Sequence, residues 1–338
     1  MRVIFHIGMG KTGTTSIQHA LAQNAAALAA HKAHYLGMWF DAIDPKFEGL
    51  AGFGGFITQA PEDMARCAEM FHTRLTQLNE DAGAETILIS NESLFHNGAR
   101  LEPFLHRLQE LGVELRFLAY LRDPRTWLPS AHTQWALRHK TNKGKVQPFG
   151  KSARRLIAFY ESITYWLDHF GEMTQVREAR VDEDVVADFS QAIGITLTPP
   201  PTRALERAEM ADTVLRAMFN NRIHQPTLPD RFNRIVRNGS DKPVSSLRAF
   251  TELCFDHSET EDVIAENAAV FADIRDRTGL DFLSGEASRP PSDPMIGTTI
   301  ADEADVQRRV IDYLIDITFH QAQRLKQLER IVDSLQKD

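Results

Sequence analysis

Residues Val3 to Leu21 read VIFHIGMGKTGTTSIQHAL, and no other stretch restricts the fold as much. Val3-Ile4-Phe5 and Ile7 form a β-branched and aromatic run, Gly8 and Gly10 break it, and Ile17, Leu21, Ala25 and Leu28 recur at helical spacing. This order of strand, glycine-rich turn and helix puts Gly10, Lys11, Thr12, Gly13, Thr14, Thr15 and Ser16 at a helix N-terminus. The first backbone N–H groups there lack intrahelical partners and the helix dipole adds roughly half a positive charge, so an anion with several oxygens meets aligned donors. Lys11 adds a full charge, and Thr12, Thr14, Thr15 and Ser16 add hydroxyls. The triphosphate-binding P-loop would need a glycine five residues before Gly10, and Phe5 stands there, so the spacing excludes it.

Downstream, Tyr35 to Gln59 carries Trp39, Phe40, Phe47, Phe53 and Phe56 without clear period. It reads as a long functional loop whose aromatics either pin it to the core or line an acceptor site. Pro61 to Asn79 reads as a helix, and Glu85 to Ser90 as a buried strand ending in Asn91-Glu92-Ser93. Leu101, Leu105, Leu108 and Leu111 mark another helix, which Gly112 stops before the strongest strand, Val113 to Leu121. The alternation predicts an α/β fold, a central parallel β-sheet flanked by helices. Ligands of such sheets collect at the carboxyl ends of strands. Three polar strand ends meet that rule: the Gly10 to Ser16 turn, Ser90-Asn91-Glu92, and Arg122-Asp123-Pro124-Arg125.

Between Arg138 and Arg155 lie Lys140, Lys143, Lys145, Lys151 and Arg154 and no acid, in a chain of net charge −8. That asymmetry reads either as a mobile lid that draws in an anion or as a solvated loop. Then follow a helix from Leu156 to Phe170, a strand near Gln175 to Val181, a helix around Val185 to Ile193 and a break at Pro199-Pro200-Pro201. Helical patterns return over Arg203 to His224, Val244 to His257 and Glu261 to Thr278, a loop over Ser284 to Asp305, and a last helix from about Val306 to Gln336. The expected division is a domain over 1–285, with core 1–198 and helical extension 199–285, then a linker and C-terminal helix over 286–338. In that helix Val310, Leu314, Ile317, Leu328, Ile331 and Leu335 form a heptad seam that Gln321 and Arg324 interrupt. Packing on its own subunit is expected, with a homodimer as the competing outcome.

Composition excludes several classes. Apolar residues at 43% and charged residues at 25% of 338 are ordinary for a globular chain. Cys67 and Cys254 are the only cysteines, which fits a reducing compartment and excludes a disulfide framework or a Cys-rich zinc site. Met1-Arg2 leads directly into the first strand and no apolar run reaches membrane length, so a cytoplasmic protein without a membrane span is expected. The acidic balance argues against general nucleic-acid binding. His31 and His34 lie near a helix end without a partnering acid and read as surface residues rather than metal ligands.

Lys11-Thr12-Gly13-Thr14-Thr15 resembles the 5′-phosphosulfate loop of sulfotransferases that use 3′-phosphoadenosine 5′-phosphosulfate (PAPS). The stretch from Tyr120 to Ser130, YLRDPRTWLPS, resembles the strand and helix that hold the 3′-phosphate in that family, with Arg122 and Ser130 at the matching positions. An Arg fork and a Ser beside free backbone donors suit a dianionic phosphate. The chain looks like a bacterial sulfotransferase of the carbohydrate-modifying kind, by motif to about residue 140 and more weakly to about 280.

The resemblance implies a P-loop-like α/β fold and transfer of a sulfuryl group from PAPS to an acceptor hydroxyl, a saccharide favoured, with adenosine 3′,5′-bisphosphate as product. No metal is required. It implies cofactor contacts from residues Gly10 to Ser16, from Arg122 and Ser130, and from Arg237 if Arg237-Asn238-Gly239-Ser240 matches the loop that closes over the nucleotide. Lys11 would stabilise charge moving to the bridging oxygen, and Glu92 would be the general base, since family members carry Glu or His at that strand end. His96, His34 and Glu48 are the alternatives for the base. Two other readings stand beside this one. A kinase or NTPase-type enzyme is disfavoured by the failed spacing and by Arg122, rather than an acidic Mg²⁺ ligand, at the end of the strongest strand. A non-catalytic nucleotide-binding protein of the same fold is the other.

Overall fold

A computed structural model describes residues 1–180, 183–200, 210–229, 231–232 and 253–284, and individual positions between 306 and 332. The chain forms two compact units. One comprises Met1–Trp127, Ile157–Glu206 and Ile264–Pro291, the other Leu128–Leu156, Arg207–Val263 and Ser292–Asp338.

The first unit is built on five parallel strands: β1 Arg2–His6, β2 Ala33–Tyr35, β3 Thr86–Ser90, β4 Glu114–Leu121 and β5 Thr174–Glu178, in the order β2-β3-β1-β4-β5. Parallel neighbours need crossovers, and helices supply them: α1 Thr14–Gln23, α2 Ala25–Ala30, α3 Gly49–Phe56, α4 Pro61–Ala82 and α5 Gly98–Glu110 lie between the first four strands. Because side chains alternate along a strand, each face buries its own set. Leu88, Leu118 and Tyr120 pack with Ile17 and Leu21 of α1 on one face. On the other, Phe5 stacks on Phe117 at 5.7 Å, and Phe117 meets Trp166 at 4.8 Å and Phe170 at 5.1 Å. The chain then enters α6 Pro124–His132, a wider π turn over Thr133–Arg138, and α7 Phe149–Leu156. A 3₁₀ turn, Ile157–Tyr160, separates α7 from α8 Glu161–Phe170, and α9 Val185–Ile193 follows β5.

Tyr35 to Gln59 is not a structureless loop. A 3₁₀ turn at Pro45–Phe47 leads into α3, and Phe40, Phe47, Phe53 and Phe56 are buried, with Phe40 stacked on Phe56 at 4.3 Å and both against Phe104 of α5. Four of its six aromatics therefore pin the segment to the core; Tyr35 and Trp39 are half-exposed. The pattern over Glu261 to Thr278 forms two helices, Thr260–Glu266 and Ala268–Thr278, with Asn267 between them.

In the second unit α10 Met210–Asn221 contributes Val214 and Ala217 to a core with Leu137, Val146, Cys254 and Phe255. The basic stretch is not uniformly solvated. Lys140 is buried, with its Nζ donating to the carbonyls of Gly144 and Ile223, each at 2.6 Å, while its backbone pairs with Thr227. Arg138 pairs with Asp212 at 3.3 Å and Arg154 with Glu259 at 2.5 Å. Lys143, Lys145 and Lys151 are exposed. Arg237 and its neighbours Asn238, Gly239 and Ser240 lie outside the described residues, as do Leu335 and most of the expected Val244 to His257 helix.

Candidate functional site

The strand order places β1 between β3 and β4, so the chain leaves β1 to one side of it and returns on the other. In a parallel sheet that switch point opens a crevice at the carboxyl ends. All three polar strand ends named from the sequence belong to these adjacent strands, and backbone bonds continue the ladder into them. Met9 N donates to Tyr120 O at 3.2 Å and Asn91 N to His6 O at 3.1 Å.

The turn after β1 owes its shape to where its carbonyls go. Met9 O accepts from Thr12 Oγ1 at 2.5 Å, Gly10 O from Trp127 Nε1 at 2.8 Å, and Lys11 O from Arg122 Nη1 at 3.3 Å. In a trans peptide the C=O and the following N–H point in opposite directions. Three successive carbonyls held inward therefore turn the N–H groups of Gly10, Lys11 and Thr12 outward, as in an anion-binding nest. Lys11 adopts φ 70° and Gly13 φ 93°, so left-handed backbone brackets Thr12. Glycine is needed at position 13 on two counts, since a β-carbon there would also lie 2.6 Å from Val185 Cγ1. Gly13 is the N-cap of α1, and no side chain caps that helix. Thr14 Oγ1 is buried there without a hydrogen-bond partner, an arrangement that a bound oxyanion would complete.

Beneath the turn lies His6. Its Nδ1 is 2.7 Å from Ser90 Oγ, its Nε2 is buried without a partner, and burial pulls its pKa down to about 3, so the imidazole is neutral at physiological pH. A β-carbon on Gly8 would come within 2.6 Å of His6 Nε2. That contact explains the glycine that opens the turn.

Arg122, at the end of β4, donates Nε to Thr126 Oγ1 at 2.9 Å as well as reaching Lys11 O. The second and first motifs thus touch. Tyr160 donates its hydroxyl to Arg122 O, and burial holds that phenol well above its ordinary value. Asp123 is buried and 3.6 Å from Arg125, whose Nη1 also donates to Phe282 O at 2.7 Å. Ser130 lies on α6, half-buried, in the second compact unit.

Glu92 opens the 3₁₀ turn Glu92–Leu94 after β3. Asn91 caps that turn, accepting from Ser93 N at 2.8 Å, so Glu92 is not its cap. Among the described residues no cation forms an ion pair with it. Gln18 of α1 donates Nε2 to Ser90 O at 3.0 Å and to Glu92 Oε2 at 3.4 Å. Tyr35 stands near: burial first, and then the Glu92 charge, push its phenol above the ordinary value. Asn91 Nδ2 donates to Met38 O at 2.9 Å, which fixes the segment leaving β2 beside Glu92. Of the alternatives, His96 is exposed with Nδ1 2.9 Å from Ser162 Oγ, His34 is exposed on the edge strand β2, and Glu48 is exposed before α3.

Sequence reasoning missed His6, Gln18, Thr126, Trp127 and Tyr160. Only Gln18 carried a local signal, its spacing of four from Thr14. Among the described residues no group of three or more His, Cys, Asp and Glu could hold a metal ion, and no helix is long and apolar enough to cross a membrane.

No family model matches the chain, and no curated protein matches it. Among solved structures it is similar to a sulfotransferase from Alicyclobacillus acidocaldarius, at 15% identity and a TM-score of 0.37 over 66% of this chain and 96% of that one. It is also similar to the sulfotransferase domain from the curacin biosynthetic pathway, at 9% identity and a TM-score of 0.33 over 79% of this chain and 97% of that one. At such scores the likeness carries no argument about activity, and the functional reading rests on the site itself.

Proposed function

We propose that this chain is a sulfotransferase that moves a sulfuryl group from PAPS to an acceptor hydroxyl, with a saccharide as the favoured acceptor class. The observation that carries the reading is the turn after β1, whose three inward carbonyls face its N–H groups toward an anion beside Lys11 and the uncapped start of α1. Arg122, tied to that same turn, is the natural holder of a second phosphate on the same nucleotide. A turn and an arginine so joined fit a nucleotide with two separate anionic groups.

In this reading Gly10 to Ser16 cradle the 5′-phosphosulfate, with Thr12 spending its hydroxyl on the shape of the turn. Arg122 and Ser130 are assigned to the 3′-phosphate, and Arg237 is the further candidate. The bond from sulfur to the acceptor oxygen forms as the bond from sulfur to the phosphate oxygen breaks, and the acceptor proton passes to Glu92. Lys11 meets the charge that develops on the departing oxygen. Glu92 is suited to its part because it is half-exposed at the crevice, and Gln18 holds one of its oxygens while leaving the other to the acceptor. The proposed setting is the cytoplasm, where Cys67 and Cys254, both free thiols, would stay reduced.

The test is transfer of label. The protein incubated with PAPS labelled in the sulfuryl group and a panel of glycans, lipids and small alcohols is expected to label a glycan. Labelling of a lipid or small alcohol alone would keep the activity and change the acceptor. Absence of any labelled product, with the nucleotide still bound, would leave a nucleotide-binding protein.

A further inference from the structure

The chain leaving β2 runs on beside β3 after that strand has ended. Leu36 N donates to Leu88 O at 2.9 Å, Ser90 N to Gly37 O at 3.2 Å, and Asn91 Nδ2 to Met38 O at 2.9 Å. The next residues on the two chains are Trp39 and Glu92, so this register sets a tryptophan beside the proposed base. Trp127 and Trp166 are buried and donate their indole N–H to Gly10 O at 2.8 Å and Phe95 O at 3.0 Å. Trp39 is different: it is half-exposed, leans on Phe53 with ring centroids 6.3 Å apart, and makes no such bond among the described residues. Tyr35 pairs with Leu88 and packs on the core that includes α1, within reach of the Glu92 charge. Its hydroxyl also makes no hydrogen bond among the described residues. Gln18 occupies only one oxygen of Glu92. An aromatic face and several hydrogen-bonding groups are thus left for a ligand at one strand end.

We propose that Trp39 and Tyr35 form an acceptor subsite for an uncharged saccharide, with a pyranose ring lying on the open face of Trp39 and its rim hydroxyls turned to Tyr35 and Glu92. A pyranose carries C–H groups on its faces and hydroxyls around its rim. The C–H hydrogens are weakly positive and suit the negative face of an indole. Hydroxyls both donate and accept, so they can serve the Tyr35 hydroxyl and the open Glu92 oxygen together. An alkyl alcohol has a single hydroxyl; bound here it would shield the Tyr35 hydroxyl from water without replacing its partner. Charge narrows the class further. Between Tyr35 and Gln59 stand Asp41, Asp44 and Glu48 against Lys46 alone, and Lys46 is held by Asp44 at 2.8 Å. With Glu92 added, a carboxylate or sulfate on the acceptor would meet like charge. The inference rests on the reading of the chain as a sulfotransferase with Glu92 as base, and narrows its acceptor from saccharides in general to uncharged ones.

Binding is read apart from turnover, by saturation-transfer NMR on the full chain without nucleotide. Methyl β-D-galactoside and methyl β-D-glucoside are expected to receive saturation at their ring C–H protons. Methyl β-D-glucuronide should bind on the order of tenfold more weakly, a gap that narrows as salt is raised. Trp39→Ala should abolish the saturation, and Trp39→Phe, which keeps an aromatic face, should retain most of it. In turnover, Trp39→Ala should raise the KM for a glycan acceptor on the order of tenfold and Tyr35→Phe several-fold, with the KM for PAPS unchanged in both. No saturation of either uncharged glycoside, equal saturation in Trp39→Ala, or a preference for the glucuronide would overturn the proposal. The subsite and the reaction fail separately. A glycoside held by Trp39 but never labelled from PAPS would keep the saccharide site and remove the reaction. A labelled glycan whose KM ignores Trp39→Ala would keep the reaction and remove the subsite.

Discussion

Thr14 and Gln18 are four residues apart on α1, so the hydroxyl at the anion turn and the amide at Glu92 share one helix face. In the proposed reading, the distance between donor nucleotide and base is therefore set by a single turn of helix. Because the Gln18 amide is anchored on Ser90 O, it holds the Glu92 carboxylate in one orientation, and the two residues should act as a unit. Gln18→Leu is expected to lower kcat on the order of 10-fold through misplacement of the base, with nucleotide affinity unchanged. Glu92→Gln should cost on the order of 10²–10⁴-fold as a lost general base. In the Glu92→Gln background, Gln18→Leu should then cost nothing further, since there is no carboxylate left to orient. Equal losses in both backgrounds would show a merely structural glutamine. The positions of Lys11, Glu92 and Arg122, each shortly beyond the end of β1, β3 or β4, were legible in the sequence because each follows a strand pattern at a turn signal. Trp127 and His6 were not. Their part depends on Gly10 O, 117 residues away, and Ser90 Oγ, 84 residues away, and no local pattern encodes those distances.

Among elements, β5 is fastened to the sheet by side chains as well as backbone. Arg177 on β5 donates to both carboxylate oxygens of Asp188 on α9, at 2.5 and 2.6 Å, and Tyr120 on β4 donates to the same group at 2.6 Å. Burial works against the charged carboxyl, but the bonds from Arg177 and Tyr120 and the Arg177 charge outweigh it and hold Asp188 below its ordinary range. A depressed folded value stabilises the protein above the unfolded value, ~3.9, and that stability is lost as pH falls through the folded one. Asp188→Asn should therefore cost about 1–2 kcal/mol at neutral pH, discounted because the pair is partly exposed. It should also flatten the loss of stability on acidification below pH ~4. Melts across pH 3 to 7 that fall in parallel for variant and wild type would contradict this. The element order of the sheet was largely readable, because buried strands and amphipathic helices have distinct periods. The three-residue β2 escaped, being too short to show a period, and α3 escaped because its glycines conceal a helix that exists through burial of Phe53 and Phe56.

At the scale of the whole molecule, the basic stretch changes meaning. Lys140 is a buried ammonium satisfied by carbonyls of the second unit, so charge counting along the sequence overstated the free positive field. Lys140→Met should destabilise the protein by about 2–3 kcal/mol, because it leaves at least two buried acceptors without their donor. Lys143→Ala with Lys145→Ala should leave the melting temperature within a degree or two, as expected for exposed charges. Equal destabilisation in the two variants, read by thermal melting, would argue against the buried role.

The account centres on a nucleotide with two anionic groups held at the carboxyl edge of the first unit, by the turn after β1 and by Arg122. Isothermal calorimetry without added Mg²⁺ reads this directly. Adenosine 3′,5′-bisphosphate should bind far more tightly than ATP or AMP, and Arg122→Ala should remove most of that preference, a loss on the order of 2–5 kcal/mol for a phosphate without its charged partner. Tight binding of Mg-ATP with indifference to the 3′-phosphate, unchanged by Arg122→Ala, would contradict it.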